Sequence, residues 1–218
     1  LMAGAESDDA EPVPAVTNSG QIRNSGTITA EYDGIYLRGE NSGSVTNSGS
    51  ITSTDGNGIS VLGRTRWLAD APEAGEAPVV AANSGTITNA GSIKAGASGI
   101  LVGTGVRLLD GAPEAAELED STLANSGTIA NAAGASIEAG ETGILAAGGN
   151  SGTITNAGSI KAESIGVLVG SESLLMAGAE SDDAEPVPVV TNSGTITNAA
   201  GASIEAGSTG ILAAGENS

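Results

Sequence analysis

Residues 83–100 read NSGTITNAGSIKAGASGI. Three isoleucines, Ile87, Ile93 and Ile100, stand six and seven residues apart, with Gly, Asn and Ser filling the gaps. A helical stripe recurs every three or four residues and avoids helix breakers, so this stretch is not a helix. Three short strands fit the spacing, each carrying one inward β-branched residue and each separated from the next by a tight corner.

The same unit recurs on both sides of this stretch. It begins NSGQIRNSGTI at Asn18, NSGSVTNSGSI at Asn41, NSGTITNAGSI at Asn83, NSGTIANAAGASI at Asn125, NSGTITNAGSI at Asn150 and NSGTITNAAGASI at Asn192. Each copy runs on to a Gly-Ile or Gly-Val pair, at Gly34, Gly58, Gly99, Gly143, Gly166 and Gly210. The apolar anchors fall in threes: Ile22, Ile28 and Ile35; Val45, Ile51 and Ile59; Ile87, Ile93 and Ile100; Ile129, Ile137 and Ile144; Ile154, Ile160 and Val167; Ile196, Ile204 and Ile211. A single copy has nothing to bury, whereas stacked copies share one continuous apolar column. The spacing therefore predicts an all-β fold, a three-stranded parallel β-solenoid of about six coils running through residues 1–218.

Segments 64–82, 104–124 and 171–191 interrupt the repeat, and 1–17 is the tail of a fourth insert. Each complete one follows VLG or LVG, so all are expected to leave from one corner, as hairpin-like excursions. Residues 1–17 match 175–191 at all but one position, and GENS occurs at both 39–42 and 215–218. The chain is thus expected to be a stretch of a longer array.

Composition narrows the function. Of 218 residues, 26 are Asp or Glu and 7 are Lys or Arg, for a net charge of −19, and Cys, His and Phe are absent. Without His or Cys there is no Ser-His-Asp or Cys-His catalysis, no common zinc site and no disulfide. The acidic balance opposes nucleic-acid binding, which needs a basic face. No run of about 18 apolar residues is present to span a bilayer, and LMAGAESDDAE at the start is acidic where a secretory signal is basic.

The NSGTITNAGSI…GI cadence resembles the passenger repeats of autotransporters and related bacterial surface adhesins. The resemblance covers the repeat core and implies a right-handed parallel β-helix at the bacterial cell surface or outside the cell. It implies a stalk, adhesin or fibre rather than an enzyme, and it brings no catalytic residue and no cofactor. The expected partners are further repeats or copies of the same chain, associating laterally or end to end, and a surface receptor. Recognition of glycan or protein through the inserts is the alternative.

Individual residues sharpen these expectations. Asn occupies two slots per unit: Asn18, Asn41, Asn83, Asn125, Asn150 and Asn192 in one, and Asn24, Asn47, Asn89, Asn131, Asn156 and Asn198 in the other. These are corner positions, where short amides tolerate unusual backbone and, once stacked, form ladders. The residue after the second anchor reads Thr29, Thr52, Lys94, Glu138, Lys161 and Glu205, which predicts a column of alternating sign. Alternation within the third strand turns Leu101, Leu145, Leu168 and Leu212 outward, as a candidate contact stripe. Thr-Ile-Thr at 27–29, 86–88, 153–155 and 195–197 suggests a Thr face of the kind that binds ice, although 27–29 sits on a different anchor and Ser44 and Ala130 break the pattern. Asp33 and Asp55 occupy different slots and do not make a catalytic pair. Acidic insert tips such as Glu180, Asp182, Asp183 and Glu185 lack EF-hand spacing and are expected to solvate the loops rather than bind Ca²⁺.

Overall fold

A computed structural model describes residues 17–62, 83–103, 125–170, 191–214 and 216–217. The expected hairpins therefore lie outside the described residues, except for Thr17 and Thr191 at their ends. The described chain is all-β. Three six-stranded sheets run along the molecule, and each takes one strand from every coil in chain order. The first sheet is built from Gln21–Asn24, Ser44–Asn47, Thr86–Asn89, Thr128–Asn131, Thr153–Asn156 and Thr195–Asn198. The second contains Thr27–Ala30, Ser50–Ser53, Ser92–Ala95, Ser136–Ala139, Ser159–Ala162 and Ser203–Ala206. The third contains Ile35–Arg38, Ile59–Leu62, Ile100–Gly103, Thr142–Ala146, Ile165–Val169 and Thr209–Ala213. This is the predicted parallel β-solenoid, with six coils. Among the described residues, no helix is long and apolar enough to cross a membrane.

Register follows the anchors. Ile93 pairs with Ile51 on one side and Ile137 on the other, and Ile137 pairs in turn with Ile160. Ile100 pairs with Ile59 and Ile144, and Ile129 with Ile87 and Ile154. A slip by one residue would turn every anchor to the solvent side, so the apolar column holds each coil in place. Val45, Ile51, Ile59, Ile87, Ile93, Ile100, Ile129, Ile137, Ile144, Ile154, Ile160 and Val167 are at most 2% exposed, and Ile35 is buried with them. Full burial of such a side chain stabilises by about 1.5–3 kcal/mol. A second inward position in each strand of the second sheet holds a small residue, Ala30, Ser53, Ala95, Ala139, Ala162 or Ala206, which keeps the tube narrow.

Two expectations need correction. In the end coils Ile22, Ile28, Ile196 and Ile204 are only partly buried against the core, and Ile211 is 42% exposed. Each of these lies in the first or last strand of its sheet, so it has a neighbour on one face only. The second correction concerns the outward leucines. Leu145 and Leu168 are 5% and 0% exposed within a single copy of the chain, and with Ile165 they form a cluster separate from the core. Leu101, Leu212 and Ala147 are half-buried against that cluster. The separate cluster places these leucines outside the core, as alternation requires, but the row offers no exposed apolar surface at Leu145 and Leu168. Tyr36, which fills the same slot in the first coil, is 45% exposed.

Candidate functional site

The main polar feature of the fold lies inside it. In the TITN pattern of the first sheet the inward positions are the Ile anchor and the Asn two residues later. A buried amide is costly unless all its hydrogen-bonding capacity is used. Here each Asn Nδ2 donates to the Asn Oδ1 of the next coil. Asn24 donates to Asn47 at 2.8 Å, Asn47 to Asn89 at 2.8 Å, Asn89 to Asn131 at 2.9 Å, Asn131 to Asn156 at 2.8 Å, and Asn156 to Asn198 at 2.8 Å. The second Nδ2 hydrogen is used as well, since Asn131 also donates to the Ser159 carbonyl at 3.0 Å and Asn47 to the Ser92 carbonyl at 3.1 Å. At the corner, Asn89 Oδ1 accepts from the Gly91 N–H at 3.3 Å, and Asn156 Oδ1 from that of Gly158 at 3.2 Å, which shapes the turn into the second sheet.

A parallel ladder runs through the other Asn slot: Asn18 to Asn41, Asn41 to Asn83, Asn83 to Asn125, Asn125 to Asn150 and Asn150 to Asn192, all at 2.7–2.9 Å. These asparagines also bridge backbone to backbone from coil to coil. Asn41, Asn47, Asn83, Asn89 and Asn131 are fully buried. The amides are thus committed to holding coils together and present nothing to a ligand. A third, shorter chain was not anticipated from sequence. Asp33 Oδ1 accepts from the backbone N–H and Nδ2 of Asn57, both at 2.9 Å, and Asn57 Oδ1 accepts from the Ser98 N–H at 3.0 Å. Its signal was present in the polar residue that precedes each of Gly34, Gly58 and Gly99.

The charged column forms as the repeat predicts. Lys94 is flanked by Thr52 and Glu138, Glu138 by Lys161, and Lys161 by Glu205. Lys94 Nζ lies 3.0 Å from Glu138 Oε1, and both side chains are more than half exposed. The Lys94 hydrogen bond, then its charge, and lastly the charge of Lys161 hold the Glu138 carboxyl below its ordinary value, against a small opposing desolvation. The column lines a groove of about 640 Å³, whose walls also include Glu141 and Glu163.

The threonines split between two sheets. Ser44, Thr86, Thr128, Thr153 and Thr195 form one outward column of the first sheet, and Thr46, Thr88, Ala130, Thr155 and Thr197 form the other. Thr27 and Thr29 belong to the second sheet, and the first coil puts Gln21 and Arg23 in the Thr slots. Asp33 aligns with Asn57, while Asp55 N–H bonds the Glu31 carbonyl, so the structure keeps the two aspartates in different slots. Glu180, Asp182, Asp183 and Glu185 lie outside the described residues. No family model matches the chain, and no curated protein or solved structure does.

Proposed function

We propose that this chain is a structural segment of a long bacterial surface β-solenoid, acting outside the cell as stalk, adhesin shaft or fibre and not as a catalyst. The observation behind this reading is the pair of Asn ladders, which run through all six coils and spend the polar chemistry of the repeat on coil-to-coil cohesion. Backbone pairing along the stack and the isoleucine column make the unit a rod whose properties hardly change as coils are added. The resemblance of the repeat to autotransporter passengers supports the proposed location. Brief protease treatment of intact cells, followed by electron microscopy of the released protein, tests it. Release of narrow rods without lysis supports the reading. Protection of the protein until the cells are broken would contradict it.

A second reading is favoured by one observation, the in-register Thr columns of the first sheet, which bear no charge from the second coil to the sixth. Such a regular array of hydroxyl and methyl groups suits an ordered water lattice, so ice binding is the alternative. Thermal hysteresis in the purified protein would favour it, and its absence would leave the structural reading alone.

A further inference from the structure

The two lysines of the whole chain, Lys94 and Lys161, both stand in one exposed column of the second sheet, alternating with Glu138 and Glu205. Read along the stack the column is Lys, Glu, Lys, Glu. A pattern of this kind and even length is self-complementary when reversed. We infer that the second-sheet face is a docking surface for a second copy of this chain, packed antiparallel and face to face. The two-fold axis runs along the strands, midway between the fourth and fifth coils.

This operation sets Lys94 against the partner copy's Glu205 slot and Glu138 against its Lys161 slot, and by symmetry it repeats both pairs. Strand spacing is the same in both copies, about 4.7–4.9 Å per coil, so all four contacts fall into register together. The neighbouring slots agree. Ser92, Ser136, Ser159 and Ser203 form the adjacent outward column and meet only serine. At the corner, backbone hydrogen bonds align Gly96, Gly140, Glu163 and Gly207 in one slot and Ala97, Glu141, Ser164 and Ser208 in the next. Reversal places Glu163 opposite Gly140 and Glu141 opposite Ser164, so no carboxylate meets a carboxylate. Packing the same faces with stacks parallel, each coil against its like, would instead oppose Lys to Lys and Glu to Glu along the column. Like charges held opposite one another are penalised, and only the reversed arrangement makes all four contacts opposite in sign, against three for a parallel packing offset by one coil.

Net charge does not forbid this contact. Of the 26 acidic residues, 17 lie in segments 1–17, 64–82, 104–124 and 171–191, outside the second-sheet strands, and the last three segments follow third-sheet strands in the chain. A four-coil face is smaller than a standard stable interface, so the dimer is weak and strongly salt-dependent. It goes beyond the structural reading and does not depend on where the protein resides.

Sedimentation equilibrium of the full chain tests it, first at about 0.01 M ionic strength and then at about 1 M, where the Debye length shrinks from about 30 Å to about 3 Å. The expected result is a monomer–dimer equilibrium at low salt that vanishes at high salt. Lys94→Glu combined with Glu138→Lys leaves composition and net charge unchanged but makes the column Glu, Lys, Lys, Glu, which opposes like charges at all four contacts. Its dissociation constant should rise at least tenfold with an unchanged circular dichroism spectrum. A second test does not depend on that variant. Lys94→Glu/Lys161→Glu and Glu138→Lys/Glu205→Lys should each be monomeric alone and should form a mixed dimer together. A monomer under all conditions, open-ended polymers in place of dimers, wild-type association in the rearranged variant, or no association in the mixture would overturn the proposal.

Discussion

Asn131 Nδ2 donates to Asn156 Oδ1 at 2.8 Å while Asn131 Oδ1 accepts from Asn89 Nδ2 at 2.9 Å, so one amide links three successive coils. Both bonds lie among fully buried atoms, where an unmade hydrogen bond costs much more than a made one gains. The ladder therefore acts as a set of obligatory contacts between neighbours. Its repetition explains why the narrow interior tolerates polar residues at all.

Replacing Asn131 with Ala should destabilise the chain by about 3 kcal/mol, because it orphans an Asn89 donor and an Asn156 acceptor at once. Asn131→Asp adds a test with a sign. The carboxylate would face two acceptors, Asn156 Oδ1 and the Ser159 carbonyl, in a buried position, and both effects raise its folded pKa above the unfolded value of about 3.9. A raised folded pKa means that the protonated form is the compatible one. The deficit of Asn131→Asp relative to wild type should be smallest below about pH 4 and should grow as pH rises through the folded pKa. Urea denaturation across pH measures this, and a deficit independent of pH would count against the ladder.

Glu138 should titrate below 4.5, the ordinary value of its carboxyl, because Lys94 stabilises the charged form. A depressed pKa gives a contribution that is present above the unfolded value and lost as pH falls through the folded one. The pair is exposed, so its effect on melting temperature should be close to nil. Lys94→Met should return the carboxyl midpoint toward 4.5, as read by NMR. No movement on removing Lys94 would show that the ion pair does not persist in solution.

Glycine tolerance should depend on the coil. A Cβ on Gly91 would collide with the carbonyl oxygen of Gly49 in the preceding coil, whereas one on Gly26 would meet nothing within 4 Å. Gly91→Ala should cost about 3 kcal/mol as backbone is forced apart, and Gly26→Ala should shift stability by less than about 1 kcal/mol. Chemical denaturation of the two variants side by side decides it. Equal costs would mean that coils do not approach this closely.

Ser53 Oγ is buried without a hydrogen-bond partner, in a column where the other five coils place Ala. Ser53→Ala removes an unsatisfied hydroxyl and leaves a methyl of the kind its neighbours carry. A gain of about 1 kcal/mol is expected, seen as a higher denaturation midpoint at unchanged slope.

How much of this could be read from the chain depended on the kind of constraint. Ile93, Ile137 and Ile160 were legible because a corner-rich repeat with almost no aromatic residues has only its β-branched residues to put inside. The alternation of Lys94, Glu138, Lys161 and Glu205 was legible because register follows from the anchors. The Asn slots were readable as ladder positions, but which face they point to was not. That depends on Asn89 lying two residues beyond Ile87 within the same strand, and strand limits appear only in the fold. Leu145 and Leu168 show a further limit. Alternation assigns a side chain to a face, but burial depends on what lies over that face. The exposure of Ile211 has a similar cause, since its burial would require a coil stacked on both sides.

The central claim is that coils three, four and five are consecutive neighbours in fixed parallel register. Because the chain contains no Cys, engineered pairs can test this without background. Ser92 and Ser136 are register partners, as are Ser136 and Ser159. Strands about 4.8 Å apart lie within disulfide reach, whereas positions two coils apart, at about 9.6 Å, do not. Under mild oxidation, Ser92→Cys/Ser136→Cys and Ser136→Cys/Ser159→Cys should each form an intramolecular disulfide detectable by peptide mass spectrometry, and Ser92→Cys/Ser159→Cys should stay reduced. Cross-linking of the 92–159 pair in preference to the 92–136 pair would contradict the stacking order on which the account rests.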